Sequence, residues 1–456
     1  MHGWRRRAVG VVIVACSVLL GCTTSESPSD VDRTAASTNA PGDDGSTQQE
    51  SASPEESAER DRAGDETDGA AGAAGAGTAT GPAAETSIDS DAADVPTDQP
   101  VAPCAQPWRG PRVDLEPTGN RITDQRVDLD APLTQIGLPA PAVWIVATPV
   151  GWHVELADAT AVIVDRAGVI EATDSVGGPP ATDADGTVRS SLEDGERFAD
   201  RLYDSRVIHA GTDTGGTGSL TVDVALTGPT DRYGHGVLGD RIEATGFELV
   251  DRCTGSTTTV ELSDPDVIEG ITALAGDADG DGVHEILVTI SNASVGARLA
   301  LYSLTGDLLA ESTPIGRGNR WRNQLAIAPV GPTGEIEVID VRTPHIGGTV
   351  EFFRLVDERL ELVAASTSDY TTHSIGSRNL DMGIVADVND DGQLDVIVPT
   401  SRRNELVAMT RVEDGVEVLE RRSLDGSIVT NLAVDPDTGA LALGTGRGDL
   451  IVIGAG

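Results

Sequence analysis

Nine residues, Asp277-Ala-Asp279-Gly-Asp281-Gly-Val283-His-Glu285, run directly into the apolar stretch Ile286-Leu-Val-Thr289. A near-copy follows, Asp387-Val-Asn389-Asp-Asp391-Gly-Gln393-Leu-Asp395, leading into Val396-Ile-Val398. Both place oxygen-bearing side chains at positions 1, 3, 5 and 9 and glycine at position 6. That spacing suits Ca²⁺, a hard cation that takes about six to eight oxygens from a tightly turned loop. The glycine allows the sharp turn, and the carbonyls of Val283 and Gln393 at position 7 would each add a ligand. An EF-hand is excluded, because its loop closes with a glutamate at position 12 between helices. Here position 12 is Val288 or Val398, inside a β-branched run that reads as a buried strand. The loops therefore close at position 9, and Glu285 and Asp395 each begin a strand.

A calcium loop that feeds a strand resembles the FG-GAP (or VCBS) repeat of integrin-α-type β-propellers. The likeness is carried by the two loops and covers mainly the last two hundred residues. It implies four-stranded blades and Ca²⁺ as a structural staple, one or two ions in all. Loop spacing agrees with such blades. A degenerate loop stands at Ala328 and another at Asp435-Pro-Asp437-Thr-Gly439, so the intervals are roughly 50 to 60 residues, the size of a four-stranded propeller blade. Neither degenerate loop keeps the acids a metal needs. Thr182-Asp-Ala-Asp-Gly186 reads as a broken loop of the same type.

The rest of the region alternates short apolar runs with Gly, Asp, Asn and Pro turns, and no long stretch has helical periodicity. The one helix candidate, Leu192 to Tyr203, is charged and poorly striped. Thr349–Leu355 with Leu360–Val363, and Glu405–Met409 with Val416–Leu419, read as hairpins. The expectation is an all-β chain in which residues 102–456 form a β-propeller of four-stranded blades. Seven blades are favoured, with six or eight allowed.

The N-terminus has a different character. Residues 1–21 combine Arg5, Arg6 and Arg7 with an apolar run from Ala8 to Leu20, the plan of a signal peptide. The run ends Leu19-Leu20-Gly21-Cys22, which resembles a bacterial lipobox, with Cys22 as the lipidated residue of a protein anchored to the outer face of the bacterial membrane. Residues 22–101 are Ser, Thr, Ala, Gly, Asp, Glu and Pro with almost no large apolar side chain. They cannot bury enough surface to offset the entropy of ordering, so they read as a disordered, acidic tether. Of the four cysteines, Cys16 leaves with the signal. Cys104 and Cys253 remain, and in an exported protein they are expected to form a disulfide.

The chain carries 74 acids against 32 basic residues, all of them arginine, for a net charge of −42. That balance excludes a nucleic-acid binder, which needs a cationic face. Aromatics at 3% argue against a carbohydrate face built on stacked rings. Gly-x-Ser-x-Gly, His-Glu-x-x-His and Gly-x-x-x-x-Gly-Lys are all missing. Four residues remain as a possible ligand face. His235 and Asp240 lie in the glycine-dense loop Tyr233-Gly-His235-Gly-Val-Leu-Gly-Asp240, and His345 and His373 lie in loops beside strands. The last two could meet Arg320 or Arg378 at the mouth of a central channel. Arg447-Gly448-Asp449 reads as a hairpin turn. The expected function is a non-enzymatic binding, adhesion or scaffold module for an extracellular protein or glycan. The alternative is an extracellular polysaccharide lyase or hydrolase with its site at the channel mouth.

Overall fold

The structure is a computed structural model that describes residues 113–114, 118–182, 186–192, 197–211 and 221–454. The signal segment, Cys22, the tether, Cys104 and residues 183–185 of the broken loop lie outside the described residues. Within them the protein is all-β, and the helix candidate at 192–203 contains only a short 3₁₀ turn and bends in its described part. Strands β1 (Val113–Asp114), β2 (Ile122–Thr123) and β3 (Leu133–Gly137) come first. A four-stranded antiparallel set follows, β4 (Ala142–Thr148), β5 (Gly151–Leu156), β6 (Ala161–Asp165) and β7 (Ile170–Thr173), and then a hairpin of β8 (Pro180–Thr182) and β9 (Val188–Ser190). The second set is β10 (Ile208–Ala210), β11 (Val222–Thr230), β12 (Glu243–Asp251) and β13 (Thr257–Glu261). The two-residue β14 (Val267–Ile268) bridges β12 and β16, and the third set is β15 (Leu274–Gly276), β16 (Glu285–Ser291), β17 (Arg298–Tyr302) and β18 (Leu308–Ser312).

The fourth set is β19 (Arg322–Ala328), β20 (Glu337–Arg342), β21 (Gly348–Val356) and β22 (Arg359–Tyr370). The fifth is β23 (Ile384–Ala386), β24 (Asp395–Pro399), β25 (Glu405–Val412) and β26 (Gly415–Ser423). Both expected hairpins are present, as β21–β22 and β25–β26. The last set is completed from the other end of the chain. After β27 (Ala433–Val434), β28 (Leu441–Gly444) and β29 (Asp449–Ile453), the outer strand is β3, paired Ile451 to Gln135. Six four-stranded sets are therefore present among the described residues. Among the described residues between the first and second sets, the chain makes the β8–β9 hairpin.

Burial follows from this arrangement. Second strands are sandwiched between neighbouring sets, and β16 and β24 are buried at every residue. Outer strands are less covered, so β7 is exposed throughout and β13 nearly so, whereas β18 gains a parallel partner in β22. The apolar cores lie between consecutive sets. Phe247, Ile268 and Ile290 join the second to the third, Leu301 and Phe353 the third to the fourth, and Phe352 and Val407 the fourth to the fifth. Ile397 and Leu443 join the fifth to the sixth, and Trp152 and Leu450 join the sixth back to the first. Sets packed face to face in sequence, with the last closed by an N-terminal strand, make a β-propeller.

The axial channel is filled by the chain itself. Residues 118–123 run beside the first strands of the sets. Ala275 donates its N–H to Thr118 O, Arg121 N–H reaches Leu325 O, and β2 pairs in parallel with β23 at Ile122 and Val385. Asn120 bonds both the N–H and the carbonyl of Ile327. The buried Arg121 guanidinium donates to Leu432 O at 2.6 Å and to the carbonyls of Gly383 and Asp381 at 3.4 Å. Because the sets are antiparallel, turns after first strands share one end of the propeller. Turns after second strands, and the links between sets, share the other.

Candidate metal loops and a candidate ligand face

Both acid loops join a first strand to a second and so lie at the same end of the propeller. Glu285 and Asp395 open β16 and β24, opposite Gly276 and Ala386. In each loop the first-position aspartate clamps the turn. Asp277 accepts N–H bonds from Gly280 and Gly282 at 2.6 and 2.9 Å, and Asp387 accepts from Asp390 and Gly392 at 2.7 and 2.9 Å. Asp279 and Asn389 accept from Asp281 and Asp391, while Asp281 and Asp391 accept from Val283 and Gln393. The Gln393 amide also donates to Val330 O and Arg411 O. At position 9, Glu285 accepts from Ala278 at 2.7 Å and Asp395 from Val388 at 3.1 Å.

Carboxylate oxygens of Asp277, Asp279 and Glu285 lie within 4.8 Å of one another, the one such threesome among the described residues. Burial, together with the neighbouring aspartates, raises Glu285 to about 7 and Asp395 to about 6. One oxygen of the fully buried Asp395 has no partner. Converging oxygens and an orphaned buried carboxylate oxygen fit a hard divalent cation.

The two degenerate loops make the same point by contrast. Glu337 opens β20 opposite Ala328, the register position of Glu285 and Asp395. It is completely buried and held by Arg411 at 2.9 Å and Arg354 at 2.8 Å. In the last set the buried Asp435 receives Arg166 at 3.0 Å, which also reaches Asp437 at 3.4 Å. Where the calcium pattern is broken, a guanidinium supplies the positive charge. Among the described residues no arginine forms an ion pair with the acids of the two intact loops.

At the opposite end, His235, His345 and His373 come together around Trp321. The His235 and His345 rings are 6.0 Å apart, as are those of His345 and His373, and Trp321 stacks on His345 at 6.3 Å and meets His373 edge-on at 5.1 Å. His235 Nδ1 pairs with Glu269 Oε1 at 2.5 Å, whose other oxygen takes the Ser291 hydroxyl. The Trp321 indole N–H donates to Glu269 O. Burial, then the neighbouring His235 and Arg320, hold His345 down at about 4. Burial also holds His373 down at about 4, with His345 and Arg403 adding to it. Glu243 is pushed up to about 9 by burial and by Glu269. Asp240 belongs to a separate knot, with Tyr203 and with Arg378, which also reaches Asp204 at 2.9 Å.

This end is covered. Loop 231–242 meets loop 371–383 where Gly376 N–H donates to Val237 O, and Arg206 pairs with Asp381 beneath them at 2.6 Å. Sequence reasoning missed Trp321, Glu269 and Arg403. The one usable signal was Arg320-Trp321-Arg322, an aromatic between cations in a chain poor in aromatics. Cys253 is exposed in the turn after β12. Arg447-Gly448 forms the turn between β28 and β29.

No protein-family model matches the chain, and no curated protein matches it. Among solved structures it is similar to quinohemoprotein alcohol dehydrogenase from Comamonas testosteroni, with 11% identity over 76% of this chain and 80% of that one and a TM-score of 0.43. It is also similar to BBS1N in complex with ARL6DN, with 10% identity, 72% and 97% coverage and a TM-score of 0.42. The Dos1 propeller matches at 10% identity, 69% and 78% coverage and a TM-score of 0.31. The fold assignment rests on the strand pairing itself.

Proposed function

We propose that the protein is a calcium-stapled binding module of the cell envelope, held to the membrane through lipid on Cys22 and displaying its propeller for an extracellular partner. The contrast among the four equivalent loops carries the calcium part. Two loops neutralise their buried acid with arginine, and the two with the full acid pattern have none. Ca²⁺ would be held by Asp277, Asp279, Asp281, Glu285 and the Val283 carbonyl, and by Asp387, Asn389, Asp391, Asp395 and the Gln393 carbonyl. It would fix the turn and neutralise Glu285 and Asp395. FG-GAP-like repeats support the same reading.

A propeller is a common scaffold for recognition, and the polar side chains at the histidine end suit binding better than catalysis. His235, Glu269 and Ser291 line up with the carboxylate in the middle, so the imidazole does not reach the serine to activate it. The test is thermal melting of the mature protein with and without chelator. Each occupied site should contribute on the order of 1–3 kcal/mol at millimolar calcium, a fall of at least about 2 °C on chelation. Combining Asp279→Ala with Asn389→Ala should abolish the difference. Identical wild-type melts in calcium and in chelator would reject the metal reading.

A further inference from the structure

The two intact acid loops share a backbone and differ in one ligand. In both, the first-position aspartate accepts two N–H bonds of nearly equal length, 2.6 and 2.9 Å at Asp277 and 2.7 and 2.9 Å at Asp387. Each loop is also fastened to a neighbouring segment. His284 N–H donates to Gly211 O at 2.9 Å, and the Gln393 amide donates to Arg411 O at 2.9 Å and to Val330 O at 3.2 Å. With both loops held by the chain, what separates them is charge, the other quantity that sets calcium affinity in such sites. The first offers four carboxylates, Asp277, Asp279, Asp281 and Glu285. The second offers three, Asp387, Asp391 and Asp395, with the neutral Asn389 at position 3. Asp390 stands off the ligand positions and is exposed, where salt screens it.

Asn389 does more than remove a charge. Its Oδ1 accepts from Asp391 N–H at 3.1 Å, and its Nδ2 donates to Asp391 Oδ2 at 2.8 Å. The amide thereby gives the position-5 carboxylate a donor from within the chain, and an incoming cation competes with it. Nothing comparable serves the first loop. Among the described residues only backbone N–H groups donate to Asp277, Asp279, Asp281 and Glu285. Oxygens of Asp277, Asp279 and Glu285 nevertheless converge within 4.8 Å. The four equivalent loops therefore form a series. Arg411 and Arg354 meet Glu337, Arg166 meets Asp435, an amide meets Asp391, and no side chain meets the acids of the first loop. The need for an external cation rises in that order.

We infer that the two loops are unequal calcium sites and that Asn389 sets the difference. The Asp277 loop binds at least about tenfold more tightly, and the Asp387 loop fills and empties as external calcium varies around ~10⁻⁴–10⁻³ M. This difference presupposes the calcium reading proposed above. It makes the fifth set the part of the propeller that responds to calcium in its surroundings, while the third set keeps its ion. The test is calcium binding to the full mature chain by equilibrium dialysis in about 0.15 M salt, which screens the diffuse attraction of a chain of net charge −42. The variant combining Asp279→Ala with Asn389→Ala supplies the background. Wild type should fit two sites at least about tenfold apart. Asp279→Asn should weaken the tighter site about tenfold, and Asn389→Asp should strengthen the weaker one by about the same factor. Both positions are exposed, so both variants should fold. Two sites of equal affinity, a weaker site unchanged by Asn389→Asp, or a tighter site unchanged by Asp279→Asn would overturn the inference. Equal sites with a melting shift on chelation remove it and leave the calcium reading standing. No binding above background and no melting shift remove both.

Discussion

At the scale of single residues, the buried acid that opens the second strand of the third, fourth and fifth sets decides what its loop requires. Glu337 has solved the problem internally, so Arg411→Met should destabilise the fold by about 3 kcal/mol, with Arg354 left as partial compensation. Chemical denaturation that finds Arg411→Met as stable as wild type would contradict this. The histidine end predicts a pH effect with a definite sign. His345 and His373 sit at about 4 when folded and near ~6.5 when unfolded, so unfolding takes up protons below that value. Their contribution is full above ~6.5 and is lost as pH falls toward 4, on the order of 2 kcal/mol for the buried His373. The difference in melting temperature between wild type and His373→Gln should therefore shrink from pH 7 to pH 5. Glu243 works in the opposite sense. Raised to about 9, it is neutral when folded, so stability falls as pH climbs from ~4.5 toward 9. Glu243→Gln should flatten that decline, and an unchanged slope would show that Glu243 is ionised in the fold. The candidate ligands of each intact loop were legible in the sequence because all five lie within nine residues. The arginines that pair with the acids of the other two loops were not, since Arg411 is 74 residues from Glu337 and Arg166 is 269 from Asp435.

At the scale of elements, hairpins and strand starts could be read directly, because turn residues and a switch to continuous apolar sequence announce them. Glu285 and Asp395 begin strands as their loop spacing requires. The segment filling the channel could not be read. Asn120-Arg-Ile-Thr123 is short and polar, and its meaning comes from carbonyls of the fourth set and of the links into the fifth and sixth. Arg121→Met should strand the carbonyls of Leu432, Gly383 and Asp381 and lower stability by about 2–3 kcal/mol. Limited proteolysis would report the same change locally, as faster cleavage within residues 118–127. A variant as resistant as wild type would mean that backbone pairing alone secures the plug.

For the whole molecule, the spacing of acid loops gave the architecture, while the first half of the propeller lacks those loops and offered no register. Six four-stranded sets and the β8–β9 hairpin are described, where seven blades were favoured and six or eight allowed. The anchoring proposal is tested at this scale. Cys22→Ser should move the protein from the membrane fraction to the soluble one, and lipid labelling that persists in the variant would refute it. Closure of the last set by β3 has a further consequence, in time rather than in space. Arg121 waits for a carbonyl 311 residues further along the chain. At roughly 5–20 residues per second, synthesis keeps the N-terminal strands without partners for tens of seconds. The middle sets can pack in that interval, but the ring cannot. A nascent chain of this protein therefore stays open, with Leu133 and Ile136 of β3 unpaired, until Asp449–Ile453 have been made.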